Sequence, residues 1–138
     1  VAPVSVALTE AELVAHGESL GRSLTPGAVV WLSGELGAGK TTLAKALALG
    51  LGVQEWTASP TYALVNRYAG REGPVYHVDC FRLQAPAEAA ELDWEAMCHA
   101  AALLIEWPER AEGFAPAPTL RLALAHGSDP GRRELRQR

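Results

Sequence analysis

Lysine is almost missing from this sequence. Of twelve basic residues ten are arginine and two, Lys40 and Lys45, are lysine, so a lysine inside a motif is more informative here than in an ordinary composition. Cysteine is scarce too. Cys80 and Cys98 are the two present; they lie far apart, outside any Cys-x-x-Cys spacing, which argues against a disulfide framework or a zinc site and for a reducing compartment. Apolar runs are far too short to cross a bilayer, and Val1 to Leu8 has neither a basic segment ahead of an apolar core nor a small-residue cleavage pattern. The expectation is a soluble, cytoplasmic protein with no membrane association. There is no excess of positive charge to attract a nucleic acid: the net charge is −4, and the basic group Arg132, Arg133, Arg136 and Arg138 reads as a solvated terminal strand.

What is present has globular proportions. With 138 residues, 49% of them apolar and 20% charged, the chain fits one domain, residues 1–138, long enough to bury about two thirds of its unfolded surface. Thr9-x-x-Glu12 is a capping box and opens a helix over Thr9 to Leu20. Ala28 to Leu32 is an unbroken apolar run that suits a strand buried on both faces. Leu43, Leu47 and Leu51 then recur with helical spacing from Lys40 onward, and Gly50 and Gly52 can end that helix.

Further on, Tyr62 to Tyr68 and Val75 to Val78 read as two neighbouring strands separated by Gly70 to Pro74. Pro86 precedes a helix over Ala87 to Cys98, and Ala101 to Ile105 is another buried-type strand, ending at Glu106. Leu120 to Ala125 and a segment from Arg133 complete the strands. Alternation of this kind predicts an α/β sandwich with a central, mostly parallel sheet and antiparallel edge strands.

Gly34-Glu35-Leu36-Gly37-Ala38-Gly39-Lys40-Thr41 satisfies GxxxxGK[ST] and lies between the predicted strand and helix, the context a phosphate-binding loop requires. Glycines let successive N–H groups and the helix N-terminus surround a phosphate, Lys40 extends a point charge to it, and the Thr41 hydroxyl suits Mg²⁺. A glycine turn with a chance lysine is the competing reading, and it fits poorly in so lysine-poor a chain. The motif predicts ATP with Mg²⁺ as ligands and, if a carboxylate stands at a neighbouring strand end, hydrolysis. Two acids qualify: Asp79 after Val75 to Val78, and Glu106 after Ala101 to Ile105. Spacing alone leaves open which would bind metal and which would position water. Thr61, in Ser59-Pro60-Thr61, falls where a γ-phosphate-sensing segment often lies. His77 and the four tryptophans read as core or interface residues, Trp107 beside Glu106 being the exception to watch.

Leu36 to Thr42, Ser59-Pro60-Thr61-Tyr62, Tyr76-His77-Val78-Asp79 with Arg82-Leu83, and Ile105-Glu106-Trp107-Pro108 together resemble the TsaE family of bacterial ATPases, in order and spacing over most of the chain. The resemblance implies a P-loop NTPase-like fold and a role in forming N6-threonylcarbamoyladenosine on tRNAs that read ANN codons. It also implies TsaD and TsaB as partners, with tRNA contact indirect or weak. It makes Thr41 and Glu106 the Mg²⁺ ligands and Lys40, Asp79 and Glu106 the catalytic residues, with Asp79 as the catalytic or nucleotide-sensing acid. Nucleotide contacts are implied for Glu10, Leu36, Gly37, Ala38, Gly39, Lys40, Thr41, Thr42, Thr61, Asp79 and Arg132. Phe81 stands where the family commonly has tyrosine. Two other functions share the motif: a small-molecule or nucleotide kinase, and a nucleotide-gated binding module with incidental turnover.

Overall fold

The apolar run after Gly27 forms β2 (Ala28–Gly34), the middle strand of a seven-stranded sheet. The computed structural model describes residues 4–57, 64–111 and 113–138. In chain order the other main elements are β1 (Val4–Thr9), α1 (Glu10–Ser23), α2 (Lys40–Gly50), β3 (Val65–Gly70), β4 (Gly73–Asp79), α3 (Trp94–Cys98), β5 (Ala102–Glu106), β6 (Leu120–His126) and β7 (Arg132–Gln137). The spatial order is β1-β7-β6-β2-β5-β4-β3. Four successive strands, β6, β2, β5 and β4, pair in parallel. The pairings of β6 with β7, β7 with β1 and β4 with β3 are antiparallel, so the sheet is more evenly mixed than the sequence suggested. No helix among the described residues is long and apolar enough to cross a membrane.

Each face of the sheet has its own core, which explains why β2 is apolar throughout. Val30 and Leu32 pack with Leu13, Leu43 and Leu47 under α1 and α2. Val29 packs with Val78, Leu83, Met97, Leu103 and Ile105 on the opposite face, beneath α3 and short 3₁₀ turns. Leu103, Leu104 and Ile105 are wholly inaccessible, as expected of a parallel strand covered on both sides.

Two expectations need correcting. The helix over Ala87 to Cys98 is two pieces, a 3₁₀ turn at Pro86–Glu91 and α3. Asp93 divides them, because its carboxylate accepts the Ala96 N–H at 3.2 Å and so starts a new helix instead of continuing the old one. The segment ahead of Thr9 is a strand, β1, where no element was assigned. Its partner is remote: Val6 faces Leu135, and Thr9 faces Arg132. The predicted strand from Tyr62 begins at Val65 within the described residues. Thr9 caps α1 as read, accepting the Glu12 N–H at 3.2 Å while Glu12 Oε1 accepts the Thr9 N–H at 2.9 Å.

The helices α1 and α2 touch backbone to backbone. A Cβ on Gly50 would lie 2.1 Å from the Glu18 carbonyl oxygen, and one on Gly21 would lie 2.2 Å from that of Leu47. Glycine lowers helix propensity by ~0.5–1 kcal/mol relative to alanine, so its presence in both helices is explained by this close approach. Gly50→Ala is expected to lower unfolding stability by ~1–3 kcal/mol, the usual effect of overpacking, read from a shifted urea midpoint. An unchanged midpoint would show that the helices do not need this contact.

Candidate nucleotide and metal site

The carboxyl ends of β2, β4 and β5 lie side by side, and each delivers one part of the site. Strand register sets Asp79 opposite Glu106 and Glu106 opposite Leu32, two residues before Gly34. In an open α/β sheet, ligands collect at this edge. The loop from Gly34 to Gly39 leaves β2 and enters α2 through three glycines with positive φ: Gly34 at 133°, Gly37 at 77° and Gly39 at 103°. Gly34 is doubly constrained, since a Cβ there would meet the Leu124 carbonyl oxygen at 1.9 Å. Gly39 stands at the N-cap of α2 and provides no side chain to satisfy the first-turn N–H groups, which leaves them suited to an anion.

Lys40 is 5% exposed. Its Nζ donates to the carbonyl oxygens of Gly34 and Glu35, each at 2.7 Å, and lies 4.2 Å from the centre of the Trp107 ring. Burial holds its pKa below the ordinary lysine value, opposed by the carboxylates of Glu106, Glu109, Asp79 and Glu35. Trp107 is the one non-glycine residue with positive φ among those described, at 55°. That conformation is unusual for a bulky side chain, and it accompanies the contact of the ring with the ammonium and with Phe81, 5.0 Å away.

Thr41 Oγ1 lies 3.1 and 3.2 Å from the two carboxylate oxygens of Glu106. A hydroxyl has one hydrogen to donate, so bonding to Glu106 leaves its lone pairs for a cation. Glu106 is 3% exposed, and its Oε2 is 2.6 Å from His77 Nε2. Asp79 caps the turn Cys80–Arg82, its Oδ1 accepting the Phe81 N–H at 3.1 Å. Cys80 beside it is no candidate nucleophile: burial, with lesser contributions from Asp79 and Glu109, pushes its thiol up to about 12.

These residues line a hollow of about 350 Å³ bounded by Leu36, Gly37, Gly39, Lys40, Thr41, Thr42, Asp79, Phe81, Glu106 and Trp107. A second hollow, about 280 Å³, lies across the same loop and is bounded by Glu10, Leu13, Gly37, Ala38, Gly39, Thr42, Pro130, Gly131 and Arg133. All the sequence-selected residues within the described segments therefore meet at one of two adjoining hollows, save Arg132. Its guanidinium turns to Glu12 at 3.3 Å, and Arg133, the next residue along β7, lines the second hollow in its place. Thr61 lies outside the described residues. His77 is the participant that the sequence reading assigned to the core; its position two residues before Asp79 on β4, hence on the same face, was the available signal.

The family model for threonylcarbamoyl adenosine biosynthesis protein TsaE matches residues 7–135. The chain belongs to the TsaE family. Among its relatives, the tRNA threonylcarbamoyladenosine biosynthesis protein TsaE of Nostoc sp. is 38% identical over 121 residues, covering 84% of this chain and 74% of that protein. The protein of the same name from Treponema pallidum is 39% identical over 120 residues, covering 86% and 87%. The crystal structure of Bacillus subtilis YdiB superposes with a TM-score of 0.78 at 27% identity, over 99% of this chain and 84% of that one. The match spans β2, the glycine loop, both acids and β7 up to Leu135, so the residues lining both hollows all lie inside the TsaE-family region.

Proposed function

We propose that this chain is a P-loop ATPase that binds ATP with Mg²⁺ and supports threonylcarbamoyladenosine formation on ANN-decoding tRNAs by acting on a complex of TsaD and TsaB type proteins. The observation that carries the proposal is the contact between Thr41 and Glu106 at the foot of the glycine loop, beside the buried ammonium of Lys40. Membership of the TsaE family and the names of the relatives support the tRNA role.

The donor set suits a hard divalent cation. Thr41 Oγ1 and the Glu106 carboxylate offer oxygen ligands, placed together in the lining of the 350 Å³ hollow. These two residues would hold Mg²⁺, which when bound neutralises phosphate charge and orients the β- and γ-phosphates. Lys40 would exchange its bonds to the Gly34 and Glu35 carbonyls for phosphate oxygens, which accept more strongly because they are charged. The ribose and base would extend past Thr42 into the 280 Å³ hollow, between Glu10 and Arg133. Asp79, which lines the same hollow, would hold the attacking water and take its proton as the water oxygen bonds to the γ-phosphorus and the bond to the bridging oxygen breaks, releasing ADP and phosphate.

The cellular test is loss and rescue. Cells lacking this protein are expected to lose the modified nucleoside from ANN-decoding tRNAs, measured by mass spectrometry of digested tRNA, and the unaltered gene is expected to restore it. Normal nucleoside levels in the deletion strain would remove the tRNA role while leaving the ATPase reading open to direct assay.

A further inference from the structure

Among the described residues Glu106 has two hydrogen-bonding neighbours, and the nucleotide chemistry accounts for one. Thr41 approaches from α2; His77 approaches from β4 and makes the shorter contact, 2.6 Å from Nε2 to Oε2. Both members of that pair are almost fully enclosed, with side chains 7% and 4% exposed. An ionised carboxylate only accepts hydrogen bonds, so Nε2 carries the hydrogen whichever charge the ring bears. The ring itself is confined. Trp56 lies against it at 5.1 Å, and Tyr68 stacks on Trp56 at 4.6 Å with the planes 15° apart. Tyr68 Oη in turn donates to the Thr57 carbonyl oxygen at 3.1 Å. A buried histidine held in place by stacked rings and directed at one oxygen of a site carboxylate has the form of an outer partner that orients a ligand.

We propose that His77 is a positioning residue: its Nε2–H holds the Glu106 carboxylate turned toward the Thr41 hydroxyl, and thereby sets how tightly the site takes the divalent cation that accompanies the nucleotide. The proposal rests on the ATP and Mg²⁺ reading above and adds a residue to it. It requires no change in the charge of His77. Without this donor, Glu106 would remain enclosed with its Oε2 lacking its shortest partner, and would be free to turn away from Thr41.

The test is a Mg²⁺ titration of the binding of a non-hydrolysable ATP analogue, followed by calorimetry, with a parallel measurement in EDTA. His77→Ala is expected to raise the Mg²⁺ concentration for half-maximal binding by roughly tenfold or more, since outer partners of metal ligands are worth about 10–100-fold in metal affinity. Affinity in EDTA is expected to stay unchanged. His77→Gln, which retains an N–H donor of similar reach, should recover most of the loss. His77→Phe, which keeps the ring against Trp56 but has no donor, should behave as the alanine variant and serves if alanine prevents folding. In a Glu106→Gln background, His77→Ala should add little further shift. Native Mg²⁺ dependence in the alanine and phenylalanine variants, an equal loss in EDTA, or a full additional shift on top of Glu106→Gln would each overturn the role. Analogue binding by the unaltered chain that ignores Mg²⁺ would instead overturn the ATP and Mg²⁺ reading, and this proposal with it.

Discussion

Lys40→Ala is expected to lower ATP affinity at least about tenfold and to abolish measurable turnover while leaving a cooperative unfolding transition. Hydrogen bonds to charged groups are worth ~1.5–3 kcal/mol each, and Lys40 is the sole lysine lining either hollow. Its side chain is buried against loop carbonyls and the Trp107 ring and lies outside both apolar clusters, so its loss removes phosphate charge without opening a cavity in the core. Calorimetric ATP binding and phosphate release should fall together. Hydrolysis at the unaltered rate would show that the glycine loop is not the phosphate site, whatever the family match says.

The second large effect separates the two acids. Glu106→Gln and Asp79→Asn are each expected to reduce ATP hydrolysis by about 10²-fold or more, the range associated with loss of acid–base or metal-positioning groups, but for different reasons. Glutamine at 106 offers one acceptor oxygen where the carboxylate has two, and both Thr41 Oγ1 and His77 Nε2 point at that group. Its amide cannot serve both and also attract a cation, so the Mg²⁺ requirement should rise sharply. Asparagine at 79 keeps an oxygen for the Phe81 N–H, the contact that caps its turn, so local structure should persist with the metal dependence nearly unchanged. Turnover measured across a Mg²⁺ series distinguishes the two outcomes. Rescue of Asp79→Asn by excess Mg²⁺, with no change in the requirement of Glu106→Gln, would reverse the roles.

Local chemistry explains which parts of this molecule could be read from the residues alone. The glycine loop was legible because its requirements are local: positive φ at Gly34, Gly37 and Gly39, and a lysine and threonine directly after. Asp79 and Glu106 were legible as acids ending apolar runs, and the capping box of Thr9 and Glu12 is satisfied within four residues. The resemblance to the TsaE family rested on short segments around the glycine loop and the two acids, with Ser59 to Tyr62, and the family match over residues 7–135 bears it out.

Tertiary structure decided what depends on distant partners. β1 exists because β7, more than a hundred residues later, pairs with it. Gly21 and Gly50 look like weak points in two helices until the helices are seen to meet there. Arg133 lines the second hollow while Arg132 pairs with Glu12, and nothing in two adjacent arginines reveals which of them reaches it. His77 shows the same limit most clearly. A buried histidine in an apolar strand reads as packing, and only the parallel pairing of β4 with β5 brings its Nε2 to the carboxylate of Glu106. Residue type and local spacing determined the glycine loop and the two acids that end neighbouring strands; the sheet register, which joins segments remote in the chain, decided what surrounds and orients them.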